Sequence, residues 1–391
     1  MVELDSQQRR TLGWAGLAVV LVALGSSALI LGLPAIATDF NASVPALANL
    51  GSVLALGAIG ALPLSSLADH FGRRRLIAVG VAGFSIANLA SALAPSLLAL
   101  ASLRVVAVCF ETLVASVATA LIVEEAPPDH RGQAVSLLAI LSGAGVLVAI
   151  IAYPIVAPHW RWLFAGSGIG IVAAPLIWRN LPEGRAWQHV SVTGSTFRLL
   201  LSAPWRRRVA ILAATTVLVS LLLEPAGLLY TFFASKVLHL SAAAISILIF
   251  ASGTVALVSY LAGGYLTDRF GRRLPGVVLT AAYTAFAGLE FVTGMIGFVA
   301  GNLLWSALSS AATPVLGAWS GELYPTRARA TAESVGAVAG AAGGIAGLQL
   351  VGFLSQGVGL GRALALVGVA ALCGAFLLFL LPETSQAPLP E

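Results

Sequence analysis

The chain has 391 residues, of which 59% are hydrophobic and only 9% are charged, and its mean hydropathy is +0.96. Soluble domains carry about 25% charged residues, so this composition excludes a soluble enzyme and indicates a polytopic α-helical membrane protein. The chain contains only two cysteines, Cys109 and Cys373, both within apolar runs, which excludes a disulfide scaffold.

Apolar runs long enough to cross a hydrocarbon layer of about 30 Å at about 1.5 Å per residue recur twelve times along the chain. In chain order the predicted helices are 12–36, 45–68, 76–94, 97–123, 133–157, 162–180, 209–234, 242–267, 275–299, 300–323, 331–356 and 361–381. The run over 275–323 is nearly continuous, so composition defines the boundary between its two helices least sharply. The sequence predicts an all-α membrane protein with twelve transmembrane helices.

The basic residues set the predicted orientation. If the N-terminus is cytoplasmic, 17 of the 21 Lys and Arg residues fall on the cytoplasmic side; the others are Arg104, Arg161, Lys236 and Arg362. Because cytoplasmic loops carry an excess of Lys and Arg, both termini are predicted to be cytoplasmic. The net charge of +5 then reflects orientation and contact with anionic lipid. No basic stripe is interleaved with aromatic residues, so nucleic acid is not an expected partner.

Three short motifs occur twice at nearly constant spacing. Asp69-x-x-Gly72-Arg73-Arg74 returns after 199 residues, Glu124-x-x-Pro127-x-x-x-Arg131 after 198, and Leu181-Pro182-Glu183 after 200. The second copies are Asp268-x-x-Gly271-Arg272-Arg273, Glu322-x-x-Pro325-x-x-x-Arg329 and Leu381-Pro382-Glu383. Such a coincidence is hard to obtain by chance and indicates a tandem duplication of six-helix halves. We predict an N-terminal bundle over 1–180, a cytoplasmic linker over 181–208 and a C-terminal bundle over 209–391.

These paired loop motifs resemble those of the major facilitator superfamily of secondary transporters, and the resemblance covers essentially the whole chain. The motifs beginning at Glu322 and Leu381 are most similar to those of the branch that contains sugar porters and organic-ion carriers. The resemblance implies the major facilitator fold of two pseudo-symmetric six-helix bundles. It also implies transport of a small organic solute by alternating access.

The loop motifs place carboxylates and arginines together on the predicted cytoplasmic side. A carboxylate there can accept charge-assisted hydrogen bonds from arginine, and the Glu-x-x-Pro-x-x-x-Arg motifs can supply the partners. We therefore expect a cytoplasmic latch between the halves that breaks during transport; the alternative is that these arginines only anchor the topology. The residues assigned to the latch are Asp69, Gly72, Arg73, Glu124, Arg131, Asp268, Gly271, Arg272, Glu322 and Arg329.

Ionisable side chains at membrane depth are costly and are therefore functional candidates. Arg104 and Glu111 lie seven residues apart on one face of the fourth predicted helix, about 10.5 Å along the axis, a distance that long side chains nearly bridge. The pair predicts an anion site beside a titratable carboxyl. The alternative is a mutually neutralised pair that only stiffens the bundle.

Glu224 lies deep in the seventh predicted helix, directly before Pro225. Proline removes a backbone hydrogen bond, so this helix is predicted to be broken, and broken helices are where transporters place binding sites. The spacing Glu224-x-x-Gly227-x-x-Tyr230 resembles a sugar-porter motif, but it has an acid in place of glutamine and Leu229 in place of asparagine, which disfavours a sugar. The predicted substrate- or proton-binding residues are Arg104, Glu111, Glu224 and Tyr230.

Other features of the apolar runs favour structural roles. We expect Glu290, on the ninth helix, to pack into a polar contact between helices. We expect Glu333 to lie at the start of the eleventh helix, and Asp39 to end the first helix as an exposed terminus. Close helix packing is expected at Gly336, Gly340 and Gly344. The sequence has no catalytic constellation, no metal-ligand spacing and no dinucleotide motif, so we expect neither an enzyme activity nor a cofactor or metal.

The leading functional prediction is a secondary active transporter that moves a small organic solute. A carboxyl in a low-dielectric cavity can titrate near neutrality, so proton coupling through Glu224 or Glu111 is expected. The alternatives are multidrug or organic-cation efflux by proton antiport, a facilitative sugar-type uniporter, and a receptor that kept the fold without transporting. The expected partners are the solute, protons and membrane lipid, for a monomer in the bacterial inner membrane.

Overall fold

The structure is a computed structural model that describes residues 6–66, 72–125, 131–157, 159–183, 200, 202–324 and 329–384. Over these ranges it consists of helices and connecting turns without a strand. The helices are α1 Ser6–Asp39, α2 Val44–Ser66, α3 Arg73–Ala92, α4 Leu97–Glu125, α5 Arg131–Val156, α6 Arg161–Gly166, α7 Ile169–Asn180, α8 Ala203–Lys236, α9 Ala242–Phe270, α10 Arg273–Leu289, α11 Gly294–Leu323, α12 Arg329–Val358, α13 Leu360–Leu377 and a 3₁₀ turn Leu378–Leu380.

Eleven segments of the described chain are long and apolar enough to cross a membrane. The short helices α6 and α7 together form one of them, Arg161–Asn180. The helix that falls below this length is α10, which has 17 residues. The structure is therefore the all-helical membrane protein that the composition predicts.

The predicted boundary between the ninth and tenth helices, at 299 and 300, is wrong. Helix α10 ends at Leu289 and α11 begins at Gly294. Gly294 has a φ of +73°, a left-handed conformation that glycine adopts without steric cost. The residues around this turn are apolar, so composition alone did not mark it, and Glu290 lies in the turn rather than inside a helix.

The predicted break at Pro225 is also wrong, because α8 is continuous from Ala203 to Lys236. Proline lacks the N–H that would bond to the carbonyl oxygen of Leu221 four residues earlier. Gly347 of α12 lies against that oxygen so closely that a Cβ atom at 347 would collide with it. The glycine thus lets the α12 backbone cover the freed carbonyl, in a position suited to a weak Cα–H···O contact. One turn earlier, Gly343 of α12 lies similarly close to the carbonyl oxygen of Val217 on α8.

Glycines on α12 allow it to pack closely against α8, but the glycines with the closest backbone contacts are not the ones that were predicted. Gly343 and Gly347 make the closest backbone approaches to α8, and neither was predicted. Gly344 contacts the side chain of Glu224, whereas a Cβ atom at Gly336 would meet nothing within 4 Å. A motif of glycines four apart therefore identified the packing helix but only part of its packing face.

The described helices form two compact units. Unit 1 comprises Met1–Ala42 and Val53–Val192, and unit 2 comprises Ser43–Ser52 and Thr193–Glu391. In unit 1 a core around Phe84, Val114 and Leu121 packs α1, α3, α4 and α7 together. In unit 2 Trp319 is buried and donates from Nε1 to the carbonyl oxygen of Pro382 at 3.0 Å. Most of the predicted linker 181–208 lies outside the described residues, so its extent stays a prediction.

The Leu-Pro-Glu motif that recurs at the end of each predicted half caps a helix in each unit. In unit 1 the backbone N–H of Arg74 donates to Oε1 of Glu183 at 3.2 Å, at the first turn of α3. In unit 2 the backbone N–H groups of Arg272 and Arg273 donate to Glu383, each at 2.9 Å, where α10 begins. These carboxylates satisfy N–H groups that a helix start leaves without partners and interact favourably with the helix dipole.

Each of these turns requires glycine for two reasons, its backbone conformation and the space beside it. Gly72 and Gly271 have φ values of +87° and +79°, in the left-handed region that favours glycine. A Cβ atom would also lie 3.0 Å from Glu183 Oε2 at Gly72, and 2.9 Å from Glu383 Oε2 at Gly271. The glycine and the distant glutamate of each repeat therefore form one structural element.

We expect Gly271→Ala to destabilise unit 2, because the new Cβ atom meets both an unfavourable φ and the Glu383 carboxylate. Strain of this kind costs about 1–3 kcal/mol. Thermal unfolding of the purified protein should show a lower Tm. The matched control is Gly253→Ala in α9, where a Cβ atom meets nothing within 4 Å and alanine is the better helix former. Equal Tm values for Gly271→Ala and wild type would contradict the cap.

Candidate functional site

Arg104 and Glu111 form an ion pair along one face of α4, within unit 1. Nη2 of Arg104 is 4.0 Å from Oε2 of Glu111, so the two side chains bridge the two helical turns between them. Only 2% of the Arg104 side chain is exposed, compared with 30% for Glu111. The arginine is therefore enclosed by protein, and the carboxylate is the accessible member of the pair.

Arg104 is held from a second side by α3 and by an aromatic ring. Its Nη1 donates to Oδ1 of Asn88, which is fully buried. The guanidinium also lies over the ring of Phe164, 5.5 Å from the centroid, a favourable cation–π geometry. Gly25 of α1 makes room for this cluster, because a Cβ atom there would be 2.5 Å from Nδ2 of Asn88.

Sequence reasoning missed Asn88, although a signal was present. An asparagine inside an apolar helix is costly unless it is hydrogen-bonded, and Asn88 lies within the predicted helix 76–94. Its partner could not be found from spacing, because α3 and α4 meet only in three dimensions.

Two donors of this cluster are left without partners among the described residues. Arg104 Nε and Asn88 Nδ2 are both buried and make no hydrogen bond there. Unpaired buried donors are rare in folded proteins and call for an explanation. The hydroxyl of Ser26 on α1 is occupied elsewhere, since it donates to the carbonyl oxygen of Val22 at 2.8 Å. The arrangement combines a fixed cation, unused N–H donors and a half-buried carboxyl, which can bind an anion and exchange a proton.

Glu224 and Tyr230, which the sequence placed in one motif, lie in different surroundings. Glu224 is exposed, and its side chain rests against Gly344 of α12. Tyr230 is only 7% exposed and stacks on Phe298, with ring centroids 5.1 Å apart. Residues six apart on a helix point about 120° away from each other, so the continuous helix directs the two side chains from different faces.

The structure fully describes five of the ten residues assigned to the latch. Asp69 lies outside the described residues, as do the side chains of Glu124, Arg131, Asp268 and Arg329. Gly72 and Gly271 form the capped turns described above, and Arg73 is buried at the start of α3.

Arg272 and Glu322 bring two of the repeated motifs together within unit 2. Nη2 of Arg272 is 3.0 Å from Oε1 of Glu322, and Nε is 3.3 Å from both carboxylate oxygens. The hydroxyl of Thr384 donates to Oε2 of Glu322 at 2.5 Å. The turn after α9, the end of α11 and the segment after α13 therefore share one hydrogen-bonded network.

Three acids were expected to have structural roles, and the structure shows hydrogen bonds for two of them and a buried position for the third. Asp39 is more than an exposed terminus, since it accepts from Arg161 Nη1 at 2.5 Å and from Trp160 Nε1 at 3.1 Å. Glu333 accepts from the hydroxyl of Ser320 at 2.9 Å. Glu290 was expected in a polar contact between helices, but it is buried in the turn after α10, and its Oε2 atom makes no hydrogen bond to a described residue.

A cavity of about 410 Å³ opens within unit 2, lined by residues of α8, α10, α11 and α12. Its polar lining includes Thr216, Ser320, Glu333 and Tyr324. Burial raises the pKa of the Tyr324 hydroxyl, so this group stays protonated and can donate a hydrogen bond. The cavity has one exposed acid and several hydroxyls, but it lacks a buried ion pair of the kind found on α4.

Comparison with known proteins assigns the chain to a family. The family model described as Major Facilitator Superfamily matches residues 15–235 and 225–391. A putative niacin/nicotinamide transporter of Bacillus subtilis (strain 168) is 28% identical over 367 residues, covering 89% of each chain. A chloramphenicol efflux pump of Mycobacterium tuberculosis (strain ATCC 25618 / H37Rv) is 27% identical over 297 residues, covering 73% of this chain and 71% of the pump.

The fold has a close counterpart among solved structures. A bacterial homolog of the human lysosomal transporter Spinster, crystallised in an inward-facing and unoccupied conformation, superposes with a TM-score of 0.81. The match covers 96% of this chain and 97% of the homolog at 17% sequence identity, so it speaks for the fold alone. From the family model and this fold, the chain belongs to the major facilitator superfamily of membrane transporters, which are not enzymes.

Proposed function

We propose that the protein carries a small organic anion together with a proton across the membrane by alternating access. The observation that carries this proposal is the α4 pair, in which a buried Arg104 with an unused Nε donor lies 4.0 Å from the more exposed Glu111. The buried guanidinium would bind the anion, and the carboxyl would bind the proton.

The coupling follows from charge balance around Arg104. While Glu111 is ionised, the pair is neutral overall and attracts an anion only weakly. Protonation of Glu111 removes that compensation and leaves a buried cation, which costs several kcal/mol. A bound anion offsets this cost, so each ligand favours the binding of the other, and linkage makes the effect reciprocal. Cooperative binding of an anion and a proton is the requirement for symport.

The relatives support the substrate class at a coarser level. The similarity to a putative niacin/nicotinamide transporter, over 89% of both chains, supports a small organic solute. Asn88 would act as a positioning residue, because its Oδ1 accepts from Arg104 Nη1 and fixes the direction of the guanidinium plane.

The second candidate function is drug or organic-cation efflux by proton antiport. It is favoured by Glu224, an exposed carboxylate in a membrane-spanning helix, and by the similarity to a chloramphenicol efflux pump. In antiport a cation and a proton would compete for this carboxylate. A facilitative sugar-type uniporter rests only on the resemblance of the Glu224 motif, in which Leu229 replaces the expected asparagine.

We also propose the cellular setting on the charge distribution of the loops. The excess of arginine on one side supports cytoplasmic termini in the bacterial inner membrane, and we propose a monomer surrounded by lipid. The latch residues are proposed to favour one state of the transport cycle. The Arg272–Glu322 pair would keep the unit 2 part of that latch in a fixed geometry.

We expect Glu111→Gln to uncouple transport, because the amide resembles the protonated carboxyl but cannot release a proton. In proteoliposomes, accumulation of radiolabelled niacin driven by a pH gradient should disappear, while exchange of niacin across the membrane continues. The same assay on Glu224→Gln separates the two candidates, since symport through α4 leaves its accumulation intact. Loss of chloramphenicol/proton exchange in Glu224→Gln, with Glu111→Gln unaffected, would favour the antiporter instead.

We expect Arg104→Lys to weaken anion binding although the charge is kept, because lysine cannot reproduce the planar fork that bonds to Asn88. Hydrogen bonds to charged groups contribute about 1.5–3 kcal/mol, which corresponds to about a tenfold or greater rise in Kd. Titration of the purified protein with niacin measures the change. Arg161→Lys is the matched control, since that arginine lies in an exposed ion pair with Asp39. Unchanged niacin affinity in Arg104→Lys would contradict the assignment.

A further inference from the structure

The turn between α10 and α11 contains a buried carboxyl that the proposed transport mechanism does not use. Glu290 is 2% exposed, and its Oε2 atom makes no hydrogen bond to any described residue. Its Cβ atom packs against Gly301 of α11, where an added Cβ would come within 2.6 Å. The glycine therefore allows the acid to fit against the neighbouring helix.

Three aromatic rings pack together beside this turn, one of them from Phe291, the next residue in the chain. Phe291 and Phe233 meet edge to face with centroids 5.0 Å apart, and Phe298 lies 5.6 Å from Phe233 and 5.9 Å from Phe291. All three rings are buried. An ionised carboxylate in such surroundings, without a counter-charge, would cost many kcal/mol, so a buried acid of this kind takes up a proton instead.

One polar group of another helix faces Glu290. Tyr230 of α8 is close enough to interact electrostatically with it, and the Tyr230 hydroxyl is itself buried and without a hydrogen-bond partner in the described structure. The basic residues nearest to this end of unit 2, Lys236 on α8 and Arg362 on α13, are exposed. Two buried groups that make no hydrogen bond to a described residue thus lie near each other on different elements.

We infer that Glu290 is a proton-binding site of unit 2, formed by the buried turn between α10 and α11 with the Tyr230 hydroxyl of α8 nearby. The site is separate from Glu111 and Glu224, and the inference does not depend on the proposed symport. Glu290 lies in the turn, outside the membrane-spanning helices, and burial raises the pKa of its carboxyl to about 9.

Because the pKa is raised in the folded state, the protonated carboxyl stabilises this end of unit 2 most at acidic pH. That contribution falls as the pH rises towards about 9. Loss of the proton would leave a buried charge in this turn, and the turn would have to open to hydrate it. Alkaline pH is therefore expected to loosen this end of α8, the helix that also carries Glu224.

Infrared spectroscopy of the purified full-length protein in lipid nanodiscs tests the site, since a protonated carboxyl has a C=O band separate from that of a carboxylate. We expect wild type to show a protonated-carboxyl band at neutral pH that is lost on titration into the alkaline range. Glu290→Gln should lack that band, whereas Glu333→Gln, which changes an exposed acid, should retain it. A band of equal intensity in Glu290→Gln and wild type would overturn the inference.

A second variant keeps the test decisive if Glu290→Gln does not fold. Tyr230→Phe preserves the stacking on Phe298 but removes the hydroxyl that can donate to the carboxylate. The midpoint of the band's titration should therefore move to higher pH than in wild type. An identical midpoint would contradict the pairing of Tyr230 with Glu290.

Discussion

An ionised group within a hydrocarbon layer must find a counter-charge, a hydrogen-bond donor or a proton, because water is not available to solvate it. Arg104 and Glu224, in membrane-spanning helices, and Glu290, buried in the turn between α10 and α11, meet this constraint differently. Arg104 has Glu111, Asn88 and the face of Phe164. Glu224 remains exposed, and Oε2 of Glu290 is buried without a hydrogen bond to any described residue. The three solutions suggest three different chemical roles, of which only the first contains both a fixed cation and a titratable acid.

The same constraint acts on the backbone and explains how α8 passes through Pro225 unbroken. The freed carbonyl of Leu221 is not left in an apolar environment, since Gly347 of α12 covers it. A helix break is one way to deal with a proline inside a membrane, and a neighbouring glycine is another. Sequence alone could not distinguish them, because the decisive residue lies more than 100 positions away on a different helix.

The sequence predicted the features that depend on residues close together in the chain, and it missed those that depend on contacts between distant segments. The spanning segments and the Arg104–Glu111 pair follow from length, composition and helical spacing, and the structure contains the pair and eleven of the twelve predicted spans. The α10–α11 turn escaped detection because apolar residues continue through it, and its marker is the backbone conformation of Gly294. Asn88 and the cap made by Glu383 depend on contacts between distant segments. The repeat showed that Glu183 and Glu383 are equivalent, but only the structure showed what they do.

The two capping glutamates also have a consequence for how the chain folds as it is synthesised. Glu183 closes a turn that was made 109 residues earlier, and Glu383 closes one made 111 residues earlier. The start of α3 therefore keeps unsatisfied N–H groups until almost all of unit 1 has left the ribosome, and the same holds for α10 in unit 2. Each repeat carries its own closing residue, so the first unit can complete its fold while the second is still being translated.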